Sequence, residues 1–201
     1  MGNWEQTRCT AFEGFRRIAS GELAEVALQT KAVLDRGEQA PVLIFDDETS
    51  EQIEVDFRGT AQDILRRLRE TTREGTPAAA AAQPAGDRPR GPGRPKLGVV
   101  AREVTLLPRH WDWLNSQPGG ASVALRKLVD EARKANETRD RLRRSQEAAY
   151  RFMSALAGNL PGFEEAARAL FAKNSERFEA LIRGWPEDVR RHLARLAGEL
   201  M

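Results

Sequence analysis

The chain has 201 residues, enough for one ordinary hydrophobic core or two small ones. Charged residues make up 31% of it, its mean hydropathy is −0.57, and no apolar run approaches the roughly 18 residues of a membrane span. Because the N-terminus has no basic-then-apolar leader pattern, we expect a cytoplasmic protein that does not associate with membranes. The single cysteine, Cys9, excludes an internal disulfide and a zinc site built from several cysteines.

The net charge of +2 is unevenly distributed along the chain. Residues 1–87 carry 10 lysines and arginines against 16 acidic residues, residues 88–144 carry 14 against 6, and residues 145–201 carry 8 against 8. A basic middle between an acidic and a neutral flank indicates a local site for a polyanion. A solvated linker followed by a polar helix surface would have the same composition.

The first 70 residues predict a small β-α-β-β-α domain. Apolar residues recur at helical spacing in two stretches, and short apolar or alternating runs lie between them. The predicted elements, in chain order, are a strand, a helix, two strands and a helix at 10–19, 20–37, 41–47, 52–57 and 60–70.

Few residues in the chain are candidates for chemistry. Asp46, Asp47 and Glu48 form an acidic cluster after an apolar strand, where a magnesium ion could bind, but the same residue types are favoured in a polar hairpin loop. Cys9 has no activating neighbour in the sequence, which favours a buried thiol, and His110 and His192 have no metal-ligand spacing. No catalytic motif is present, so we expect neither an enzyme nor a bound cofactor or metal.

Residues 71–98 are rich in alanine, proline and glycine and have no periodic apolar face, so we expect a flexible basic linker. The stretch "RPRGPGRPK" resembles an AT-hook, whose Arg-Gly-Arg-Pro core is interrupted here by Pro92-Gly93. The resemblance implies contacts with the narrow minor groove of A/T-rich DNA, whereas the alternative is a solubilising spacer. The basic residues that would make these contacts are Arg88, Arg90, Arg94 and Lys96.

Residues 99–134 predict a strand followed by two helices. The stretch "REVTLLP" alternates apolar and polar residues, and Pro108 is suited to the first position of a helix. Gly119 and Gly120 end that helix, and Ser122 is a suitable N-cap for the next one. About 33 residues are too few for a core of their own, so this segment requires a partner.

A symmetric homodimer would supply that partner, because two copies of one strand can pair antiparallel and cover the apolar helix faces. The arrangement resembles the ribbon-helix-helix DNA-binding proteins, whose two-stranded ribbon enters the major groove. The resemblance implies that Glu103 and Thr105, with Ala101, face bases and that N–H groups of Ala121–Val123 hold a phosphate. The implied DNA-binding residues here are Arg102, Glu103, Thr105, Ser122, Arg126 and Lys127, and the dimerisation residues are Val104, Leu106, Trp111, Leu114, Leu125 and Leu128.

Residues 135–201 predict a C-terminal helical bundle, with apolar residues at helical spacing and Pro161 near a helix start. The whole chain is then an α+β protein in four parts, namely 1–70, 71–98, 99–134 and 135–201. Blocks such as "LGVVAREVTLLPRHWDWL" and "YRFMSALAGNLPGFEEAARALFAKNSERFEALIRGWPEDVRRHLARLA" resemble the bacterial domain-of-unknown-function 2239 family over nearly the full length. This resemblance implies a bacterial protein and no particular activity.

From these patterns we expect a dimeric DNA-binding protein, a transcriptional regulator that binds double-stranded DNA. The alternative is a non-catalytic adaptor, in which the strand at 102–106 and the long helix bind a second copy or an unidentified protein partner. A strand at 102–106 could equally complete the sheet of the N-terminal domain within the same chain.

Overall fold

The computed structural model describes residues 7–37, 40–74, 100 and 102–198. These residues form a mixed α+β fold, as expected, with a small antiparallel sheet and a majority of helix. Among them, no helix combines the length and the apolarity needed to cross a membrane. The elements are β1 (Arg8–Glu13), β2 (Arg16–Glu22), α1 (Leu23–Leu34), β3 (Val42–Asp46), α2 (Ala61–Glu74), α3 (Pro108–Ser116), α4 (Gly120–Ala157), α5 (Phe163–Phe171), α6 (Ser175–Ile182) and α7 (Glu187–Leu196).

The described residues divide into two compact units. Residues 7–74 and 139–198 form the first, and residues 100–138 that are described form the second. The N-terminal sheet and the C-terminal helices therefore belong to one unit. Helix α4 contributes its first half to one unit and its second half to the other.

The sheet has the strand order β2-β1-β3, and both pairs are antiparallel. The sequence predicted one strand over 10–19, but the chain turns within this stretch to make a β1–β2 hairpin. Gly14 has φ +54° at the turn, a conformation that glycine adopts without steric cost, and its N–H donates to the Pro41 carbonyl. The pairing register shifts between Ala11 and Phe12, which is a bulge in β1.

Both faces of the sheet are buried, because successive residues of a strand point to opposite sides. Cys9 and Ala11 of β1 lie with Ile44 of β3 in one core cluster, beneath α1 and half-buried residues that include Leu68 of α2. Phe12 and Phe45, the alternate positions, lie in the second cluster with the buried side chains of α4–α7. The sheet is therefore the layer that joins the N-terminal helices to the C-terminal bundle in this unit.

Three further predictions for the N-terminal part differ from the structure. Residues 52–57 were predicted as a strand, but only the isolated bridge between Phe45 and Gln52 forms there. Helix α1 begins at Leu23 instead of near Ser20, because Ser20 belongs to β2 and its hydroxyl pairs with that of Thr10 at 2.8 Å. Residues 71–74, assigned to the linker, continue α2, and residues 75–98 of that linker lie outside the described residues.

The second unit contains α3 and the first half of α4. Pro108 is the first residue of α3, as predicted, and α3 ends at Ser116. Gly119 and Gly120 have φ of +87° and +74°, and a Cβ on Gly119 would lie 3.2 Å from the Val123 side chain. Glycine at 119 thus permits the turn, and α4 begins at Gly120, two residues before the predicted cap at Ser122.

The C-terminal helices bury most of the apolar residues that their spacing predicted, including Phe152 and Met153 of α4. Phe171 is an exception, since 51% of it is exposed. Leu170 occupies the buried position at the end of α5, and the next residue on a helix points about 100° away from it. Phe171 therefore lies on the surface against Tyr150, with the ring centroids 5.3 Å apart.

Candidate functional site

The predicted strand at 102–106 is not formed in the single chain, and its residues have no ladder partner among the residues that the structure describes. Val104 is 56% exposed and Leu107 is 50% exposed, whereas Leu106 is half-buried. A segment whose backbone groups have no ladder partner and whose apolar side chains are exposed has the requirements for pairing with a second strand.

The predicted dimerisation residues on α3 and α4 divide into covered and uncovered ones. Leu114 is buried, and Trp111 and Leu125 are half-buried. Leu128 is 42% exposed and Val129 beside it is 54% exposed. The two helices thus cover only part of their apolar surface within the described part of this unit.

The predicted DNA-binding side chains that the structure describes are all exposed: Arg102, Glu103, Thr105, Ser122, Arg126 and Lys127. The first turn of α4 contains no acidic residue, so no carboxylate competes there for the free N–H groups. Arg88, Arg90, Arg94, Lys96 and Ala101 lie outside the described residues.

Helix α4 is solvent-exposed over about four turns, between its first turns, where Ala124 is buried, and its second half, where Gln146 is the first buried residue. From Arg126 to Arg139 every residue is exposed except the half-buried Asn136. Helices in proteins are stabilised mainly by packing of an apolar face, and this stretch has no such packing among the described residues.

A polar cluster lies where β3 ends, beside α7. The Arg195 guanidinium donates to Asp47 Oδ1 at 2.7 Å, and the Thr10 hydroxyl donates to the same oxygen at 2.7 Å. Burial by itself would raise the pKa of Asp47, but the hydrogen bonds from Arg195 and Thr10 outweigh it and hold that pKa below its ordinary value. Asp47 is therefore an ionised carboxylate already satisfied by protein donors.

The neighbouring Asp46 has a different role, in the loop of residues 46–51. Its Oδ1 accepts hydrogen bonds from the N–H groups of Glu48 and Thr49 at 2.9 and 2.8 Å. These bonds form an Asx-type turn, so Asp46 stabilises the conformation of the loop. The described residues contain no group of three or more histidines, cysteines and carboxylates placed to hold a metal ion.

His192 of α7 lies between this polar cluster and the aromatic core. Its ring centroid is 4.3 Å from that of Phe152 and 5.3 Å from that of Phe12. Burial, together with the charge of Arg195, lowers the pKa of His192 to about 4, so the ring is neutral at physiological pH. Its Nε2 is buried and makes no hydrogen bond with the described residues.

Cys9 is buried, as predicted, and is the free thiol of β1. Burial raises its pKa to about 12, and the charges of Asp47 and Asp46 add to the effect. A thiol with so high a pKa is a poor nucleophile, which agrees with a structural role for Cys9.

A polar cleft of about 550 Å³ lies in the first unit, between the 46–51 loop, α4 and the end of α7. Arg151 of α4 donates to the Thr49 carbonyl, and Ser145 donates to the Leu196 carbonyl, so both walls are tied to α4. The lining residues are Asp47, Glu48, Thr49, Glu51, Arg141, Arg144, Ser145, Glu147, Ala148, Arg151, Arg195 and Leu196.

Sequence reasoning missed this cleft. The spacing of Arg141, Arg144, Ala148 and Arg151 places them on one face of α4, beside the buried stripe, and that pattern is visible in the sequence. The loop and α7 are about 95 and 45 residues away along the chain, and no local pattern indicates that they meet this face.

A family model described as "Uncharacterized protein conserved in bacteria (DUF2239)" matches residues 8–197. No curated protein and no solved structure matches the chain. The matched range begins at the first residue of β1 and extends past the last residue of α7, so it covers both units. This chain belongs to the bacterial domain-of-unknown-function 2239 family.

Proposed function

We propose that this protein is a dimeric DNA-binding protein that regulates transcription, with residues 99–134 as the dimerisation and binding element. The observation that supports this most is the combination, in one short segment, of a stretch without a ladder partner, uncovered apolar side chains and exposed cations. A ribbon-helix-helix dimer requires these three properties together.

The dimer accounts for the uncovered apolar surface. Pairing residues 102–106 with the same residues of a second copy satisfies their open backbone groups and brings Val104 of each copy to the subunit interface. Leu128 and Val129, exposed in the single chain, then pack beneath the ribbon. Since a two-fold axis relates the copies, each of these residues contributes twice to the interface.

The exposed cations supply the attraction to DNA. Arg102, Arg126 and Lys127 make no ion pair with the described residues, so their charges are available to phosphates. Such contacts fix position on the duplex, and base contacts give specificity. Thr105 donates or accepts a hydrogen bond at a base edge, and Glu103 accepts one from cytosine N4.

Dimerisation is tested with Val104→Lys combined with Leu128→Lys in sedimentation equilibrium. Both side chains are exposed in the single chain, so the variant keeps its circular dichroism spectrum while the dimer dissociates. Phe171→Lys, which changes an exposed apolar residue of the other unit, is the matched control and stays dimeric. A wild-type monomer at micromolar concentration contradicts the proposal.

DNA binding is tested by fluorescence anisotropy with a random duplex in about 50 mM salt. Arg126→Ala with Lys127→Ala weakens binding and reduces the log–log salt slope by about 0.9 for each phosphate that these cations neutralise in the wild type. Arg168→Ala with Lys173→Ala removes two exposed cations of α5 and the turn after it, and leaves binding unchanged. Absence of binding by the wild type at low salt rejects the function.

A second candidate is a protein-interaction adaptor, favoured by the exposed stretch of α4 from Arg126 to Arg139. In that case Leu128 and Val129 pack against a partner helix and the basic side chains remain in solvent. Selection from a pool of random duplexes separates the two functions. Enrichment of one sequence supports the regulator, and no enrichment together with a partner that co-purifies in fixed stoichiometry supports the adaptor.

A further inference from the structure

We propose that the polar cleft between the 46–51 loop, α4 and α7 binds a small zwitterionic molecule. Its anionic group is held by Arg144, and its cationic group by the carboxylates of Glu48 and Glu51. All the lining residues belong to the first unit, so this site is separate from the DNA-binding element and does not depend on it.

The charges that line the cleft are incompletely neutralised by the protein. Asp47 is paired with Arg195 at 2.7 Å. Arg144 donates to the Asp140 carbonyl and Arg151 to the Thr49 carbonyl, and neither makes an ion pair with a carboxylate of the described residues.

Glu48 and Glu51 line the same cleft and also make no ion pair within the described chain. Opposite charges therefore face one cleft without forming an ion pair with each other in the described chain. A ligand with both charges satisfies both sets, whereas a simple anion or a simple cation satisfies one and is repelled by the other.

The unpaired cations of the cleft are spread along its α4 wall. Arg151 is bonded to the loop, whereas Ser145, next to Arg144 in the sequence, is bonded to the Leu196 carbonyl at the end of α7. Arg144 and Arg151 are seven residues apart on α4, which corresponds to about 10 Å along the helix axis. Arg144 is therefore the unpaired cation farther along α4 from the loop contact of Arg151, and the loop provides the unpaired carboxylates.

The size and lining of the cleft restrict the ligand further. A volume of about 550 Å³ is within the range of small-molecule sites. Ala148 and Leu196 are the apolar residues of its lining, so a large hydrophobic ligand gains little there. A guanidinium presents several N–H donors in one plane, which suits a phosphate or carboxylate group at Arg144.

Calorimetric titration of the full chain with phosphoethanolamine tests the site, because this probe carries a phosphate and an ammonium group. Inorganic phosphate and ethanolamine, each with one of the two charges, are the matched probes. We expect phosphoethanolamine to bind, and each single-charge probe to bind about 10-fold more weakly or not measurably, since one charge-assisted contact is missing.

Two cleft variants test the anion-binding and the cation-binding contacts of the site one at a time. Arg144→Gln and Glu51→Gln each weaken phosphoethanolamine binding about 10-fold; Arg144→Gln leaves the response to ethanolamine unchanged, and Glu51→Gln leaves the response to inorganic phosphate unchanged. Arg168→Gln and Glu164→Gln change an exposed ion pair of α5 outside the cleft, and they leave all of these responses unchanged. All four positions are exposed, so the melting temperature is expected to stay near that of the wild type.

Three results overturn the proposal. They are no heat with phosphoethanolamine at about 10 mM, equal affinity for inorganic phosphate, and unchanged affinity in Arg144→Gln. Anisotropy with duplex DNA on the same variants keeps the two proposals distinct. We expect Arg144→Gln and Glu51→Gln to bind DNA like the wild type, so the loss of one activity does not imply the loss of the other.

Discussion

Arg195 and Asp47 are 148 positions apart in the chain, and the guanidinium of one donates to the carboxylate of the other over 2.7 Å. The contact joins the last turn of α7 to the loop after β3. Thr10 of β1 donates to the same carboxylate, so three elements meet at one oxygen. The ends of the sheet and of the helical bundle are thereby held together next to the aromatic core.

The pair predicts a measurable coupling energy. Arg195→Met leaves Asp47, whose side chain is 9% exposed, without its cation, and we expect a loss of about 1–3 kcal/mol in the free energy of unfolding. Asp47→Asn with Arg195→Met costs less than the sum of the single changes, because no buried charge remains unpaired. Urea unfolding of the four proteins measures this.

The control for this double-mutant cycle is a second cycle with Arg191→Met and Glu187→Gln. This pair is on the same helix but both side chains are exposed, so we expect a coupling below about 0.5 kcal/mol. Additive effects of the Asp47 and Arg195 changes would contradict the role given to their contact.

His192 predicts a loss of stability in mild acid. Its pKa is about 4 in the folded chain and about 6.5 in the unfolded chain, so between these values the unfolded chain binds more protons. The free energy of unfolding therefore falls by about 3 kcal/mol as the pH decreases from 6.5 to 4. Asp47, whose pKa is also lowered, destabilises the fold further as it becomes protonated at lower pH.

Urea unfolding at several pH values tests this. In His192→Phe the free energy of unfolding falls less steeply between pH 6.5 and 4, because the titrating group is absent. His110→Phe changes an exposed histidine of α3 and keeps the wild-type slope. An unaltered slope in His192→Phe would assign the acid sensitivity to other groups.

From the contacts of Phe12 we expect the sheet and the C-terminal helices to unfold together. The ring is fully buried and contacts Phe45 of β3, Phe152 of α4 and His192 of α7. Phe12→Ala is expected to cost about 3–5 kcal/mol and to lower the stability reported by every probe of this unit.

Phe171→Ala, the same change at a half-exposed site, is the comparison and is expected to cost about 1 kcal/mol or less. Circular dichroism follows the transition, together with the fluorescence of Trp185, which is buried in the bundle and is the single tryptophan once Trp4, Trp111 and Trp113 are changed to Phe. Bundle fluorescence unaffected by Phe12→Ala would show that the sheet and the bundle are energetically independent.

Cys9 predicts slow thiol labelling in the native state. A fully buried thiol with a pKa of about 12 has little thiolate at pH 8 and no access to solvent. In the native chain, a disulfide reagent should react with Cys9 only as fast as the fold opens locally. In roughly 6–8 M urea, which unfolds most domains, it should react at the rate of a free thiol. Fast stoichiometric labelling without urea would contradict the burial of β1.

Local patterns predicted a large part of the secondary structure. Helical spacing located α1, α2 and the C-terminal helices, and Pro108 located the start of α3. The β1–β2 hairpin was missed because Gly14 makes a tight turn inside a stretch whose residue types suit a single strand. The segment 52–57 alternates like a strand but forms only one bridge. Its apolar residues Ile53, Val55 and Phe57 instead pack, half-buried, against the core cluster that contains Cys9 and Ile44.

The candidate sites also differ in whether the sequence could predict them. The exposed cations and apolar residues of the 102–134 segment follow from its sequence alone, because a short strand-helix-helix unit has too few residues to bury them. The cleft and the polar cluster could not be predicted, since their residues come from β1, the loop after β3, α4 and α7.

The sequence by itself determined the α+β class, the helices of the second half, the concentration of positive charge in the middle and the family to which the chain belongs. These depend on the residue types within short windows, where periodicity and charge act directly. The tertiary structure alone decided that the sheet is buried on both faces, that Asp47 is paired with Arg195, and that a cleft with two unpaired signs of charge lies beside them. Contacts between residues as far apart as Asp47 and Arg195 depend on how all the elements pack, and no local window contains that information.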